Sequence, residues 1–223
     1  MFATDVAEAR GLRVTAQGEA LVSSPRDGQV ILLEADRDDN GLADGRRILV
    51  DGLNDPTGLD IAGASLYMGE EDAVGRIGFD SAARVATGIY QRILDGLPPG
   101  GNHWEKTVRV GPDGLLCVAV GSGCNVCVEE DERRAALLRY TASGTFVDIY
   151  ATDLRNRGGF DWSPSIRGVV RDRQRTRHAG RRLPAVRAHR DSRGWLLRLA
   201  LPGPSARSKT FRPGCCSFGF CCS

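Results

Sequence analysis

The feature that most constrains the fold of this chain is a repeated unit of two short apolar strands joined by turns that contain glycine. The unit occurs three times, and its first strand begins at Ala20, Ser65 and Leu115, so successive copies lie 45 and 50 residues apart. This spacing is about the length of one four-stranded blade of a β-propeller. We therefore predict an all-β propeller rather than a β-sandwich, with three blades and the beginning of a fourth before Pro164.

Charge divides the chain into two compositionally different parts. Residues 1–164 carry a net charge of −10, whereas residues 165–223 carry +12, almost all of it from arginine. The second part shows no sustained period of a strand or a helix. We predict a leader at 1–10, a partial propeller at 11–164 and an Arg/Cys-rich tail at 165–223 that is frame-shifted or disordered.

The sequence gives no sign of a membrane segment or of an export signal. No apolar run approaches the roughly 20 residues that a membrane-spanning helix needs. Residues 1–5 lack the basic and then apolar order of a secretion signal. As written, the chain is expected to stay in the cytoplasm.

His103 is the first candidate for chemistry, because it is the only histidine before Pro164 and imidazole transfers protons near neutral pH. A glycine-rich approach at 100–102 and the aromatic Trp104 beside it suit the mouth of a ligand site. The alternative is an ordinary surface or hydrogen-bonded histidine.

A second candidate is the pair formed by Arg155 and Asn156. A guanidinium followed by an amide presents several donors that fit a carboxylate or a quinone oxygen. The spacing alone does not distinguish this role from a structural one.

An aspartate-rich loop places oxygen-bearing side chains at alternate positions before a glycine, a spacing that suits a hard cation such as Ca²⁺. Arg47 occupies the twelfth position, where an EF-hand needs glutamate, which excludes a normal EF-hand. The alternative is an Asx-rich turn between strands. The predicted calcium ligands are Asp36, Asp38, Asn40 and Asp44.

Cys124 and Cys127 have the spacing of half a zinc site, but no second cysteine pair lies at the usual distance. A short-loop disulfide in an oxidising compartment, a pair of free thiols and a metal site remain open, in that order. The charged run at 129–134 is expected to form a solvated, self-paired face without chemistry.

Five motifs together resemble the L-sorbosone dehydrogenase-like branch of the soluble quinoprotein glucose dehydrogenase family. The resemblance extends from about Gly11 to Pro164. The motifs, in family order, are GGNHWEK (100–106), GPDGLL (111–116), VGSGCNVC (120–127), RRAA (133–136) and LRN (154–156).

The resemblance implies a six-bladed propeller in which Ca²⁺ holds pyrroloquinoline quinone (PQQ) over the central opening, and which oxidises a sugar or a sugar aldehyde. It also implies that His103 is the general base and that Arg155 and Asn156 line the quinone. Family members are usually exported to the periplasm or secreted, which would suit a disulfide between Cys124 and Cys127.

The chain departs from the family pattern at several positions. Asp153 stands where the family has glycine, Arg157 where it has proline, Thr57 where it has histidine and Cys117 where it has tyrosine. The resemblance ends after Pro164, so we expect a truncated homologue without measurable turnover. The alternative is a non-catalytic propeller fragment whose arginine-rich tail binds nucleic acid through phosphates.

Overall fold

The described part of the chain is built from β-strands alone. We analysed a computed structural model. It describes residues 2–4, 6–125, 127–156 and 158–162, together with the backbone of three further strands at 169–171, 186–191 and 194–199.

Three four-stranded antiparallel sheets follow one another along the chain, and in each sheet consecutive strands are neighbours. Blade 1 contains β1 (Leu12–Val14), β2 (Ala20–Ser24), β3 (Gln29–Leu33) and β4 (Arg46–Val50). Blade 2 contains β5 (Gly58–Ala62), β6 (Ser65–Gly69), β7 (Val74–Asp80) and β8 (Val85–Leu94). Blade 3 contains β9 (Lys106–Val110), β10 (Leu116–Val120), β11 (Ala136–Tyr140) and β12 (Phe146–Ala151).

A two-stranded sheet of β13 (Phe160–Trp162) and β14 (Val169–Arg171) follows blade 3 and begins a fourth unit. The prediction of an all-β propeller with three blades and a start is therefore confirmed. The strands that the sequence predicted are the two middle strands of each blade. They are almost completely buried, with every residue of β2 and β10 inside the protein.

The predicted tail at 165–223 falls mostly outside the described residues. Within it, the structure describes β14 and an antiparallel pair of β15 (Val186–Asp191) and β16 (Gly194–Leu199). The frame-shifted or disordered tail and its nucleic-acid-binding role therefore stay predictions. Among the described residues, no helix has the length and the apolar character that crossing a bilayer requires.

Apolar side chains from adjacent blades form the core. Between blades 1 and 2, Leu21 and Leu32 pack with Leu59, Leu66 and Met68. A second cluster lies between blades 2 and 3. Complete burial of each such side chain contributes about 1.5–3 kcal/mol, so packing of one blade on the next is the main stabilising contribution. The second cluster includes Tyr67, Val74, Val108, Val118 and Leu138.

One carboxylate joins the innermost strands of all three blades. Asp60 of β5 accepts a hydrogen bond from Arg13 of β1 at 3.1 Å and one from Arg109 of β9 at 3.3 Å. Its second oxygen accepts from the backbone N–H of Val110 at 2.7 Å. Burial raises the pKa of Asp60, and the hydrogen bonds from Val110 and Arg13 oppose that shift by stabilising the carboxylate.

The innermost strands of blades 2 and 3 also touch where both begin. The hydroxyl of Thr57 donates to the carbonyl of Lys106 and accepts from its N–H, both at 3.0 Å. A β-carbon on Gly58 would lie 2.3 Å from that carbonyl, closer than two such atoms can approach. Glycine at 58 therefore permits the close contact between these two strands.

These contacts define two ends of the molecule. We call the end at which β5 and β9 begin the upper face and the opposite end the lower face. In an antiparallel meander, successive connections alternate between the two ends of the sheet. The connections between blades, and those between the two middle strands of each blade, therefore lie on the upper face.

Lys106 is a buried charge at the upper end of β9. It is 0% exposed, and its Nζ donates to the carbonyl of Trp104 at 2.5 Å. Burial, assisted by the cation of Arg134, lowers the pKa of Lys106 to about 8, although Glu71 and Asp72 oppose the shift. The ammonium group is therefore less stable in the folded protein than in water.

The close approach at Gly58 predicts a large cost for a single methyl group. Gly58→Ala places a β-carbon against the backbone of β9, so we expect a loss of about 1–3 kcal/mol in the free energy of unfolding, measured by urea denaturation. Gly158→Ala is the matched control, because a β-carbon there meets nothing within 4 Å. Equal losses in the two variants would contradict the packing of β5 against β9.

The buried ammonium predicts a pH-dependent effect of Lys106→Met. Between pH 8 and 10.5 the unfolded chain holds a proton that folded Lys106 has released, so wild-type stability gains from rising pH relative to the variant. We expect the free energy of unfolding of the variant minus that of the wild type to fall by about 2 kcal/mol between pH 7 and pH 10. A difference that does not change with pH would show that Lys106 titrates normally.

Candidate functional site

His103 lies half-buried in the loop between β8 and β9 on the upper face. Blade 2 holds this loop from one side, where Glu71 accepts from the N–H of Gly100 at 3.0 Å. Blade 3 holds it from the other side, where the N–H of Asn102 donates to the carbonyl of Gly123 at 2.9 Å. The position of His103 thus depends on both neighbouring blades.

Arginines of blade 3 hold the same loop. Arg133 donates to the carbonyl of Gly96 at 2.8 Å, and Arg134 donates to that of Gly100 at 3.2 Å. Arg133 also pairs with Asp131 at 2.7 Å. The prediction of a solvated, self-paired face at 129–134 is therefore only partly right. Arg133 pairs within the face, but Arg133 and Arg134 also bind backbone carbonyls of the His103 loop, which is distant in sequence.

Arg155 reaches the same region from the segment that follows β12. Its carbonyl accepts from the N–H of Ser122 at 2.7 Å, which fixes the backbone beside the loop between β10 and β11. Its Nη2 donates to Oδ1 of Asn125 at 2.5 Å. Asn156 follows on the same segment and is half-buried.

The loop between β10 and β11 brings His103 and Arg155 together. A β-carbon on Gly121 would lie 2.2 Å from the carbonyl oxygen of His103, so this loop passes directly against the histidine. The next residue, Ser122, bonds to Arg155. His103 and Arg155, which the family resemblance assigns to one site, therefore belong to one cluster.

The electrostatics of the cluster favour a neutral imidazole. Burial is the largest cause that lowers the pKa of His103, and the cation of Arg155 lowers it further. Hydrogen bonding to Asn125 and the charges of Glu105 and Glu129 oppose this shift. A neutral His103 is able to accept a proton near neutral pH.

Two buried polar atoms of the cluster have no hydrogen-bond partner among the described residues. They are Nε2 of His103 and Nε of Arg155. An unpaired buried polar atom costs about 1–3 kcal/mol, and native proteins pair nearly all such atoms. The pair of atoms therefore points to a polar ligand that supplies an acceptor for Arg155 and a partner for His103.

Asn125 is the residue of this cluster that the sequence did not predict. It lies between Cys124 and Cys127, which form a disulfide with an S–S distance of 1.96 Å. Of the three alternatives left open for these cysteines, the structure contains the disulfide. The sequence identified the pair of cysteines but not the function of the residue between them.

The departures from the family pattern have different consequences in the structure. Asp153 has a φ of 59°, a left-handed conformation that glycine adopts more readily. Within the described residues, Arg155 lies against Asn125 rather than pairing with Asp153. Cys117 is buried, and burial raises the pKa of its thiol to about 12, so it is not a reactive thiol. Arg157 lies outside the described residues.

The predicted calcium loop lies on the lower face, between β3 and β4. Oxygen atoms of Asp36, Asp38 and Asp44 lie within 4.8 Å of one another. The N–H of Asn40 donates to Asp36 at 3.0 Å, and Oδ1 of Asn40 accepts from the N–H of Leu42 at 2.8 Å. These bonds are those of an Asx-rich turn, so calcium binding stays a prediction here.

Comparison with solved structures identifies similar folds. Residues of this chain superpose on the holo form of a pyranose dehydrogenase PQQ domain from Coprinopsis cinerea with a TM-score of 0.62 and 19% identity, covering 72% of this chain and 42% of that one. The calcium structure of a carbohydrate-active enzyme of family AA12 from Trichoderma reesei gives 0.63 and 18%, covering 76% and 46%.

A third similar structure is the PQQ-bound form of an aldose sugar dehydrogenase from Streptomyces coelicolor, with a TM-score of 0.59 and 18% identity over 75% of this chain and 56% of that one. No known protein-family model and no curated protein sequence matches the chain. The chain thus spans about half the length of the solved proteins that it resembles. Its three blades share the propeller fold of these three structures.

Proposed function

We propose that the upper-face cluster binds PQQ as part of a sugar dehydrogenase site, with His103 as the base and Arg155 as the fixed cation. The observation that carries the proposal is the pair of unpartnered buried atoms, Nε2 of His103 and Nε of Arg155. The propeller folds of pyranose and aldose sugar dehydrogenases that carry PQQ support the same assignment.

The residues of the cluster fit an anionic quinone. PQQ carries carboxylates and quinone oxygens, which are acceptors for the free Nε–H of Arg155. Asn156 follows Arg155 on the same segment and is half-buried, so its amide is a further candidate donor to the ligand. Burial and Arg155 lower the pKa of His103, so the imidazole competes less with the guanidinium for the anion.

The chain's own residues divide the reaction between them. PQQ, when bound, supplies an acceptor for the hydride that leaves the substrate carbon. His103 takes the proton from the sugar hydroxyl or aldehyde hydrate at Nε2. Arg155 stabilises the negative charge that develops on oxygen, and it does so without reorganisation because its backbone is held by Ser122.

The substrate class follows from this chemistry, and the finer assignment to sorbosone rests on the sequence motifs alone. We propose a sugar or a sugar aldehyde as the substrate. A calcium ion in the loop at 36–44 would be on the lower face and would not contact a ligand held by His103. Residues elsewhere in the intact site would have to hold the calcium that accompanies the quinone.

The assignment predicts that Arg155→Ala weakens PQQ binding. A charge-assisted hydrogen bond contributes about 1.5–3 kcal/mol, so we expect the dissociation constant to rise at least tenfold, measured by calorimetric titration of the 223-residue chain. His103→Ala should bind PQQ within about threefold of the wild type, because its role is proton transfer.

Arg46→Ala is the matched control for this titration. Arg46 is an exposed residue of β4, the outermost strand of blade 1, so its loss should leave the dissociation constant unchanged. A wild-type chain that does not bind PQQ would refute the proposed function. If Arg46→Ala and Arg155→Ala lose the same affinity for PQQ, the effect of Arg155→Ala comes from the change in net charge and not from a specific contact.

A further inference from the structure

The disulfide between Cys124 and Cys127 closes a loop of four residues that carries Asn125 into the cluster. The two Cα atoms are 6.0 Å apart. Ser122 donates from its hydroxyl to the carbonyl of Cys124 at 2.7 Å, and Glu129 accepts from the N–H of Gly123 at 2.8 Å. The loop is therefore fixed on both sides of Asn125.

Asn125 contacts both functional residues of the cluster. Its Oδ1 accepts from Nη2 of Arg155 at 2.5 Å, and its amide favours the protonated imidazole of His103. An arginine side chain without such a partner gains about 2 kcal/mol of rotamer freedom. A single contact from Asn125 therefore selects the orientation in which the free Nε–H of Arg155 remains available to a ligand.

We propose that Asn125 is a positioning residue of the quinone site and that the Cys124–Cys127 disulfide holds it in place. This inference rests on the proposed function. Reduction of the disulfide adds two electrons and two protons and gives two thiols. The loop then loses its closure, Asn125 leaves Arg155, and the affinity of the site for the quinone falls.

The disulfide is accessible to reductants, and the other described cysteine, Cys117, is too buried to take part in disulfide exchange. Cys127 is exposed and Cys124 is half-buried. Cys117 is buried between strands, and its raised pKa disfavours the thiolate that disulfide exchange requires. Thiol chemistry in the described part of the chain is thus concentrated at the loop that carries Asn125.

The first test compares two asparagines. Asn125→Ala should raise the dissociation constant for PQQ about tenfold, the effect of one hydrogen bond to a charged group. Asn54→Ala removes the same side chain from an exposed position in the connection between blades 1 and 2 and should leave the constant unchanged. Equal affinity of Asn125→Ala and the wild type would overturn the proposal.

The second test uses a water-soluble phosphine, which reduces the disulfide and is itself oxidised to the phosphine oxide with oxygen from water. The wild type should lose about tenfold in PQQ affinity on reduction, as Asn125→Ala does. The double variant Cys124→Ser/Cys127→Ser should start at the weaker affinity and should not respond to phosphine. If phosphine also lowers the PQQ affinity of the double variant, the loss does not come from the Cys124–Cys127 disulfide, and this part of the proposal is wrong.

The third test does not depend on the quinone. NMR titration compares the wild type with Asn125→Ala and follows the His103 signal, identified by its loss in His103→Ala, with Arg155, Glu105 and Glu129 left unmutated. Loss of the Asn125 amide should lower the pKa of His103, because that amide favours the protonated ring. If the wild type fails to bind PQQ, the proposed function is wrong and this titration alone decides the inference, which an unchanged pKa overturns.

Discussion

The arrangement of the three blades depends on the hydrogen bonds that the carboxylate of Asp60 accepts. The carboxylate joins the innermost strands of three separate sheets through Arg13, Arg109 and the N–H of Val110. Because those strands are held side by side, the loops that precede them converge on the upper face. Blade packing supplies most of the stability, and Asp60 sets where the blades meet.

The convergence creates a site whose members share no local sequence. His103 comes from a connection between blades 2 and 3, Asn125 from a loop within blade 3, and Arg155 from the segment that leaves blade 3. Each changes the chemistry of the others. Burial and the cation of Arg155 lower the pKa of His103. Asn125 accepts a hydrogen bond from Nη2 of Arg155, while Nε of Arg155 has no partner among the described residues.

The sequence predicted the parts of the fold that local pattern determines. The apolar runs of β2, β3, β6, β10 and β11 are buried almost throughout, so composition alone identifies them, whereas β7 is identified by its alternating pattern. The innermost strands escaped notice because polar residues such as Asp60 interrupt their apolar pattern, and Asp60 finds its side-chain partners on the neighbouring blades. Family motifs indicated His103 and Arg155, but nothing in the sequence indicated that Asn125 or Arg134 would lie beside them. Such contacts depend on how the blades pack together rather than on neighbours in the chain.

The central claim is that His103 and Arg155 occupy one site, and the pKa of His103 measures it most directly. NMR titration of the wild type, Arg155→Ala and Arg155→Lys would separate the cation from the side chain that carries it. If the two groups are adjacent, the pKa of His103 rises in Arg155→Ala and stays low in Arg155→Lys, because only the alanine removes the positive charge. A pKa that is the same in all three proteins would place the two residues in separate environments and contradict the account.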